Sequence, residues 1–286
     1  MRKLSLILIL ALLTGLLGCS APPPQILATT KPVCDLTNRI CAGTDLSVSL
    51  LINESVSCLH DYSLSVEQVR NTEGAYVIVT SGAGLEEFME YLFTGRDRVI
   101  DSSAGIPMLE CTDEHHDHDH HHEQDSHIWL APENAKQMAR NICAGLCEIY
   151  PEHTERFQAN LAQLETELDA LQAYGEETLS FLSCRELVTF HDGFGYFAQA
   201  FDLTIAAAVE EESGSEASAK ELIHLIELMQ ERTIPAVFTE VNGSASAATI
   251  ISSEIGVSIH TLDMGMTGDY FEIMRKNIDT VKEALG

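Results

Sequence analysis

Four residues of this chain have the types and placement that could hold a metal ion: His60 in CLHDYS, His127 in SHIWLAPEN, His191 in TFHDGFGYFA and Asp263 in TLDMGM. Each stands at the end of a β-rich run or in the loop beyond one. Three neutral imidazoles and one carboxylate oxygen at ~2.0–2.2 Å complete a tetrahedron of the kind that suits zinc. Manganese favours more carboxylate, and copper(I) recruits thiolate or thioether. Taken singly, a histidine is more often a hydrogen-bonded structural residue, so the four count only as a group. Several neighbours compete for roles. His260, three residues before Asp263, is an alternative fourth ligand. Glu240, closing AVFTE, is either an acceptor behind a ligand imidazole or a capping or solvated carboxylate. Met264 and Met266 read as packing, and Trp129 as the wall beside His127.

A second concentration of imidazole lies between Cys111 and Pro132, where His115, His116, His118, His120, His121 and His122 are set among acidic residues. Such a tract cannot build a packed core and binds metal without fixed geometry, which makes it an accessory, multivalent store of zinc.

The elements that must position these residues alternate. ILATT (26–30), LSVSLLI (46–52) and AYVIVT (75–80) read as strands, with helical patterns over 35–42 and 65–70. Ser65-x-x-Gln68 has the form of a capping box. A helix over 85–93 and a strand over 98–101 precede the histidine tract, and a helix with Pro132 in its first turn follows it. From Pro151 to about Leu182, Phe157, Leu161, Leu164, Leu168 and Leu171 step by four and three, which predicts one helix of ~45 Å. Strands over 186–190, 203–209, 236–240 and 257–262 then alternate with helices over 194–200, 218–232, 246–255 and 270–285, the second of which has a capping box at Ser218-x-x-Glu221. The expected fold class is therefore α/β: two doubly wound lobes joined by one long helix, with ligands at the carboxyl ends of the strands and the metal in the interlobe cleft. Expected boundaries are 26–150 for the first lobe (with a His-rich loop at 113–122), 151–182 for the connecting helix and 183–286 for the second lobe. The rigid connector argues against wide hinge closure.

Residues 1–18 read as a lipoprotein signal peptide: Arg2 and Lys3, an apolar run, then Leu16-Leu17-Gly18 before Cys19. Residues 19–25 read as a lipidated cysteine and a proline-rich spacer that holds the body off the membrane. Seven further cysteines include Cys58 and Cys111, the candidate disulfide. Cys143 and Cys147, four apart on a helix, are awkward for a bridge. The alternative is that all seven are small hydrophobes. Sixteen Lys and Arg against forty-four Asp and Glu give a formal charge of −28. That excess opposes nucleic acid and anionic lipid headgroups as partners. Glu87 stands where a dinucleotide fingerprint starting at Gly82-x-Gly84 needs its third glycine. Neither G-x-x-x-x-G-K-[ST] nor G-x-S-x-G occurs.

HDYSLS (60–65), SGAGLEEFM (81–89), HIWLAPENA (127–135), FHDGFGYFA, VFTE (237–240) and TLDMGM followed by DYFEIMRKNIDTV occur in one order along nearly the whole mature chain. In these segments the sequence resembles the metal-binding lipoproteins of ABC importers (cluster A-I type), and specifically their zinc-uptake branch. The resemblance implies a two-lobed fold, a site at His60, His127, His191 and Asp263, and an acidic His-rich loop ahead of the second ligand. It also implies a monomer that delivers Zn(II) to a permease subunit from the extracytoplasmic face of a bacterial membrane, anchored there by lipid on Cys19. A carboxylate at the third ligand position goes with manganese in that family; His191 at that position favours zinc, with manganese as the alternative. Ser126 and Ala131 stand where the family has Asp in its D-P-H-x-W-L-D-P pattern, which bears on how His127 is oriented. From a different class, a zinc hydrolase would use the three histidines with Asp263 or Glu240 as general base, but it needs an open coordination position, and four protein ligands leave none.

Overall fold

The computed structural model describes residues 25–53, 59, 62–109, 124–210, 218–241, 243–266 and 268–286. The first lobe is a parallel sheet of β1 (Ile26–Ala28), β2 (Val48–Leu50), β3 (Val77–Thr80) and β4 (Val99–Asp101), in the order β2-β1-β3-β4. Around it lie α1 (Lys31–Cys41), α2 (Val66–Gly74) and α3 (Pro132–Ile149). The second lobe has β5 (Glu186–His191), β6 (Thr204–Glu210), β7 (Ala236–Glu240) and β8 (Ser258–Leu262) in the order β6-β5-β7-β8, again all parallel. Its helices are α5 (Gly195–Ala200), α6 (Ala219–Arg232), α7 (Ser246–Ile255) and α8 (Tyr270–Leu285). Both sheets therefore reverse their winding between the first and third strands, the place where ligands of open parallel sheets collect.

The local signals explain the elements. Ser65 Oγ accepts from Gln68 N while Gln68 Oε1 accepts from Ser65 N, and Ser218 and Glu221 do the same. Both capping boxes are thus formed. β1, β3 and β7 are buried throughout, as strands covered on both faces must be.

The long helix is α4 (Thr154–Thr178), preceded by a 3-10 turn at Pro151–His153. Its 25 residues span ~38 Å, shorter than expected because the helix ends at Thr178. Phe157, Leu164, Leu168 and Leu171 are buried, and Leu161 is half-buried. Each fully buried side chain contributes roughly 1.5–3 kcal/mol. That stripe packs on α1 and α3 of the first lobe and on α8 of the second. Arg39 of α1 adds a polar staple: its guanidinium meets Glu167 at 2.5 Å and Asp269 at 3.4 Å, and lies over the Phe271 ring.

The first helix and the stretch around 85–93 also differ from the sequence reading. α1 begins at Lys31 rather than Asp35, because Pro32 is accepted in the first turn. The stretch around 85–93 is a 3-10 helix over Glu87–Leu92. Glu86, just before it, is held back toward the sheet: its carboxylate accepts from Thr29 Oγ1 (2.6 Å), Ser81 N (2.7 Å) and Gly82 N (3.0 Å). No helix among the described residues is long and apolar enough to cross a membrane.

Burial pushes the Glu86 carboxyl up to about 7, against the hydrogen bonds from Thr29, Ser81 and Gly82 that favour its ionised form. A carboxyl that is harder to ionise in the fold than in the unfolded chain stabilises fully below its ordinary range. That contribution fades as pH rises through about 7. In urea unfolding of metal-free protein, the wild type should lose on the order of 3 kcal/mol relative to Glu86→Gln between about pH 4.5 and 7.5. Parallel pH profiles for the two proteins would contradict this assignment.

Candidate metal site

His191 is the last residue of β5, and Glu240 ends β7, its neighbour in the sheet. Asp263 follows β8. These residues gather at the carboxyl edge of the second lobe, where the winding reverses. From the first lobe, the 3-10 turn Ile128–Leu130 carries His127 to the same place. The two imidazoles face each other with Nε2 to Nε2 at 3.4 Å, their rings nearly perpendicular. Both are buried.

Carboxylates stand behind each ring. Asp125 Oδ1 lies 2.9 Å from His127 Nδ1 and also accepts from the His127 backbone N. With Nδ1–H donated to Asp125, the Nε2 lone pair of His127 points into the shared space. Glu240 Oε1 is 4.0 Å from His191 Nδ1, beyond hydrogen-bond range, with both groups buried.

The wall is tightly fitted. Trp129, beside His127 with ring centroids 5.4 Å apart, is buried and donates from Nε1 to Met264 O at 2.7 Å. The Trp129 carbonyl accepts from Tyr270 Oη at 2.8 Å. Gly265 has φ of +84°, and a Cβ there would come within 3.3 Å of the indole nitrogen, so the Asp263–Gly265 turn is closed by a residue without a side chain. Gly193 is needed for space: a Cβ would fall 2.4 Å from Met264 Cε, 2.8 Å from His191 Cδ2 and 2.9 Å from His127 Cε1.

Asp263 is buried, and its Oδ1 accepts from Gly265 N at 2.8 Å. Asn277 of α8 pins its backbone on both sides, accepting from Asp263 N at 3.0 Å and donating to Asp263 O at 2.7 Å. Among the described residues no three His, Cys, Asp or Glu side chains form one metal-holding group. The structure brings His127 and His191 together as a pair, with Asp263 held in the adjoining turn. His60 lies outside the described residues, as do Cys19, Cys58, Cys111 and the six histidines from His115 to His122. His260 is half-exposed and bonds to Ser258 Oγ at 3.0 Å, away from the pair. Met264 is buried beside the rings, which agrees with a packing role.

Two residues escaped the sequence reading. Counted back from His127, the aspartate of D-P-H-x-W-L-D-P falls on Asp125, not Ser126; Ser126 replaces the proline. An acidic residue two places before a histidine was the available signal. Asn277 sits on the buried face of α8 between Met274 and Ile278. An amide where the apolar stripe calls for hydrocarbon could have marked it.

A sequence model of the family described as zinc-uptake complex component A, periplasmic (ZnuA), matches residues 26–284. A putative metal-binding protein of Treponema pallidum is 26% identical over 274 residues, covering 91% of this chain and 86% of its own. The zinc-binding lipoprotein AdcA of Streptococcus pneumoniae is 29% identical over 307 residues, covering 99% of this chain; the chain spans 61% of that relative's length. A crystal structure of ZnuA superposes with a TM-score of 0.81 at 28% identity, covering 92% of this chain and 100% of that one.

Replacing Asp125 by alanine should free the His127 tautomer. In nitrogen-15 NMR of metal-free protein, the Nδ1–H form should give way to a mixture, and zinc affinity in a chelator competition should fall ~10–100-fold. An unchanged tautomer and affinity would show that the bond does not orient the ring.

Proposed function

The chain belongs to the zinc-uptake complex component A family of periplasmic proteins, and on that premise we propose that it captures Zn(II) outside the cytoplasm and delivers it to an ABC-type importer. The metal is cargo. Its ligands are His60, His127, His191 and Asp263, two from each lobe, with Asp125 and Glu240 behind the two described imidazoles. One observation carries the reading. Two nitrogens each ~2.0–2.1 Å from one tetrahedral zinc are separated by ~3.3–3.4 Å. The separation between His127 Nε2 and His191 Nε2 is 3.4 Å. The pair already has the bite of a zinc site.

An imidazole at position 191, rather than a carboxylate, favours zinc over manganese. Four protein ligands leave no water to activate, so carriage needs no covalent chemistry. Lipid on Cys19 would anchor the chain at the membrane's outer face as a monomer, within reach of a permease subunit. The six histidines from His115 to His122 would add a weak store beside the tight site. Residues 26–150 and 183–286 serve as the two lobes and 151–182 as the connector.

Competition against a zinc chelator tests this. One tight site per chain is expected, lost in His60→Ala and in His191→Ala, with affinity falling as pH drops below ~6.5 because protonated imidazole cannot ligate. Tight manganese binding with weak zinc binding would overturn the assignment of the metal. Deleting residues 113–122 should lower total zinc bound while the tight site survives. Loss of the tight site on that deletion would move the centre into the tract.

A further inference from the structure

Far from the imidazole pair, α3 carries two thiols that the zinc reading does not use. Cys143 lies eleven residues beyond Pro132, about 17 Å along the helix. Cys143 Sγ and Cys147 Sγ, one turn apart, are separated by 4.0 Å, and neither is in a disulfide. Cys143 is buried against the core and Cys147 is half-buried, so the pair is reached from the Cys147 side. Cys41 on α1 is near enough for its charge to act on Cys143.

Two thiolates with bonds of ~2.3 Å to one ion lie at most ~4.6 Å apart, and the 4.0 Å between these sulfurs lies within that span. The sulfurs thus span a single ion without movement of the helix. Among the described residues no third His, Cys, Asp or Glu completes the group. A structural zinc site has four protein ligands, so this pair does not make one. A site offering only two soft sulfurs selects a soft, closed-shell ion content with a low coordination number.

We propose that Cys143 and Cys147 form a dithiolate site for a monovalent d10 ion of the copper(I) class, separate from the imidazole pair. Binding exchanges two S–H bonds for two S–metal bonds and releases two protons to solvent, with no change of oxidation state. Burial, and then the charge of Cys147, push the Cys143 thiol up to about 12. An ion that enters must therefore displace a proton from a buried thiol, which favours ions with strong thiolate bonds. The site does not rest on the family assignment, and it gives the chain a second metal chemistry on α3, apart from the imidazole pair.

Anaerobic, reduced, metal-free full-length protein titrated with copper(I) against bicinchoninate tests the idea. One equivalent should disappear in Cys147→Ser and in Cys143→Ser while Cys34→Ser keeps it, and zinc binding in each variant checks the fold. Should Cys143→Ser fail to fold, the half-buried Cys147 variant decides. A second measurement needs no substitution: phenylarsine oxide condenses with paired thiols, forming two S–As bonds and releasing one water. Its adduct should map to residues 141–156, a tryptic peptide holding Cys143 and Cys147 and no other cysteine. Equal copper(I) capacity in wild type and Cys147→Ser, or no arsenical on that peptide, would overturn the proposal.

Discussion

The Trp129 indole is the contact through which the two lobes share one geometry. It belongs to the first lobe, two residues after His127, yet its Nε1 is bonded to Met264 O of the second lobe and its carbonyl to Tyr270 Oη of α8. Because the ring is fully buried, each of these bonds replaces water that cannot return, and losing one would leave a buried polar group without its partner. The turn holding Asp263 and the turn holding His127 are in this way parts of one assembly. Arg39, bridging Glu167 and Asp269, and Asp35 Oδ2, which accepts from Tyr270 N, reinforce the same junction.

Below that junction the molecule repeats itself. Both sheets run in the same strand order, and in both the reversal point holds a buried carboxylate. In the first lobe Glu86 fills it, saturated by Thr29, Ser81 and Gly82. In the second Glu240 fills it, with Oε1 4.0 Å from His191 Nδ1. One carboxylate is held by two backbone amides and a hydroxyl, while the other stands behind an imidazole.

Much of this was legible in the sequence. Alternating strand and helix patterns, two capping boxes and the stripe from Phe157 to Leu171 identify the lobes and the connector, because those features are local. The motifs around His191 and Asp263 point to strand ends, where the structure has them, whereas His127 stands before the 3-10 turn Ile128–Leu130. What was hidden depends on distance. Only faint local signals mark Asp125 behind the His127 ring and Asn277 on the backbone of Asp263 fourteen residues away, and none shows that Glu86 folds back just before a 3-10 helix. Those outcomes follow from which polar groups the packing leaves to be satisfied. His60 and the His-rich tract lie outside the described residues, so their part in the site rests on the motif alone.

Because His127 and His191 come from different lobes, the bite of the pair is a measure of lobe position. Displacing one lobe by a few tenths of an ångström changes the nitrogen separation by a similar amount, which is a large fraction of the tolerance of a ~2.1 Å coordination bond. With the proposed ion held between them, a membrane partner that gripped both lobes would have a mechanical handle on it. Such a partner would stretch the bonds and let the ion go without offering competing ligands, with the Trp129 contact as the fulcrum.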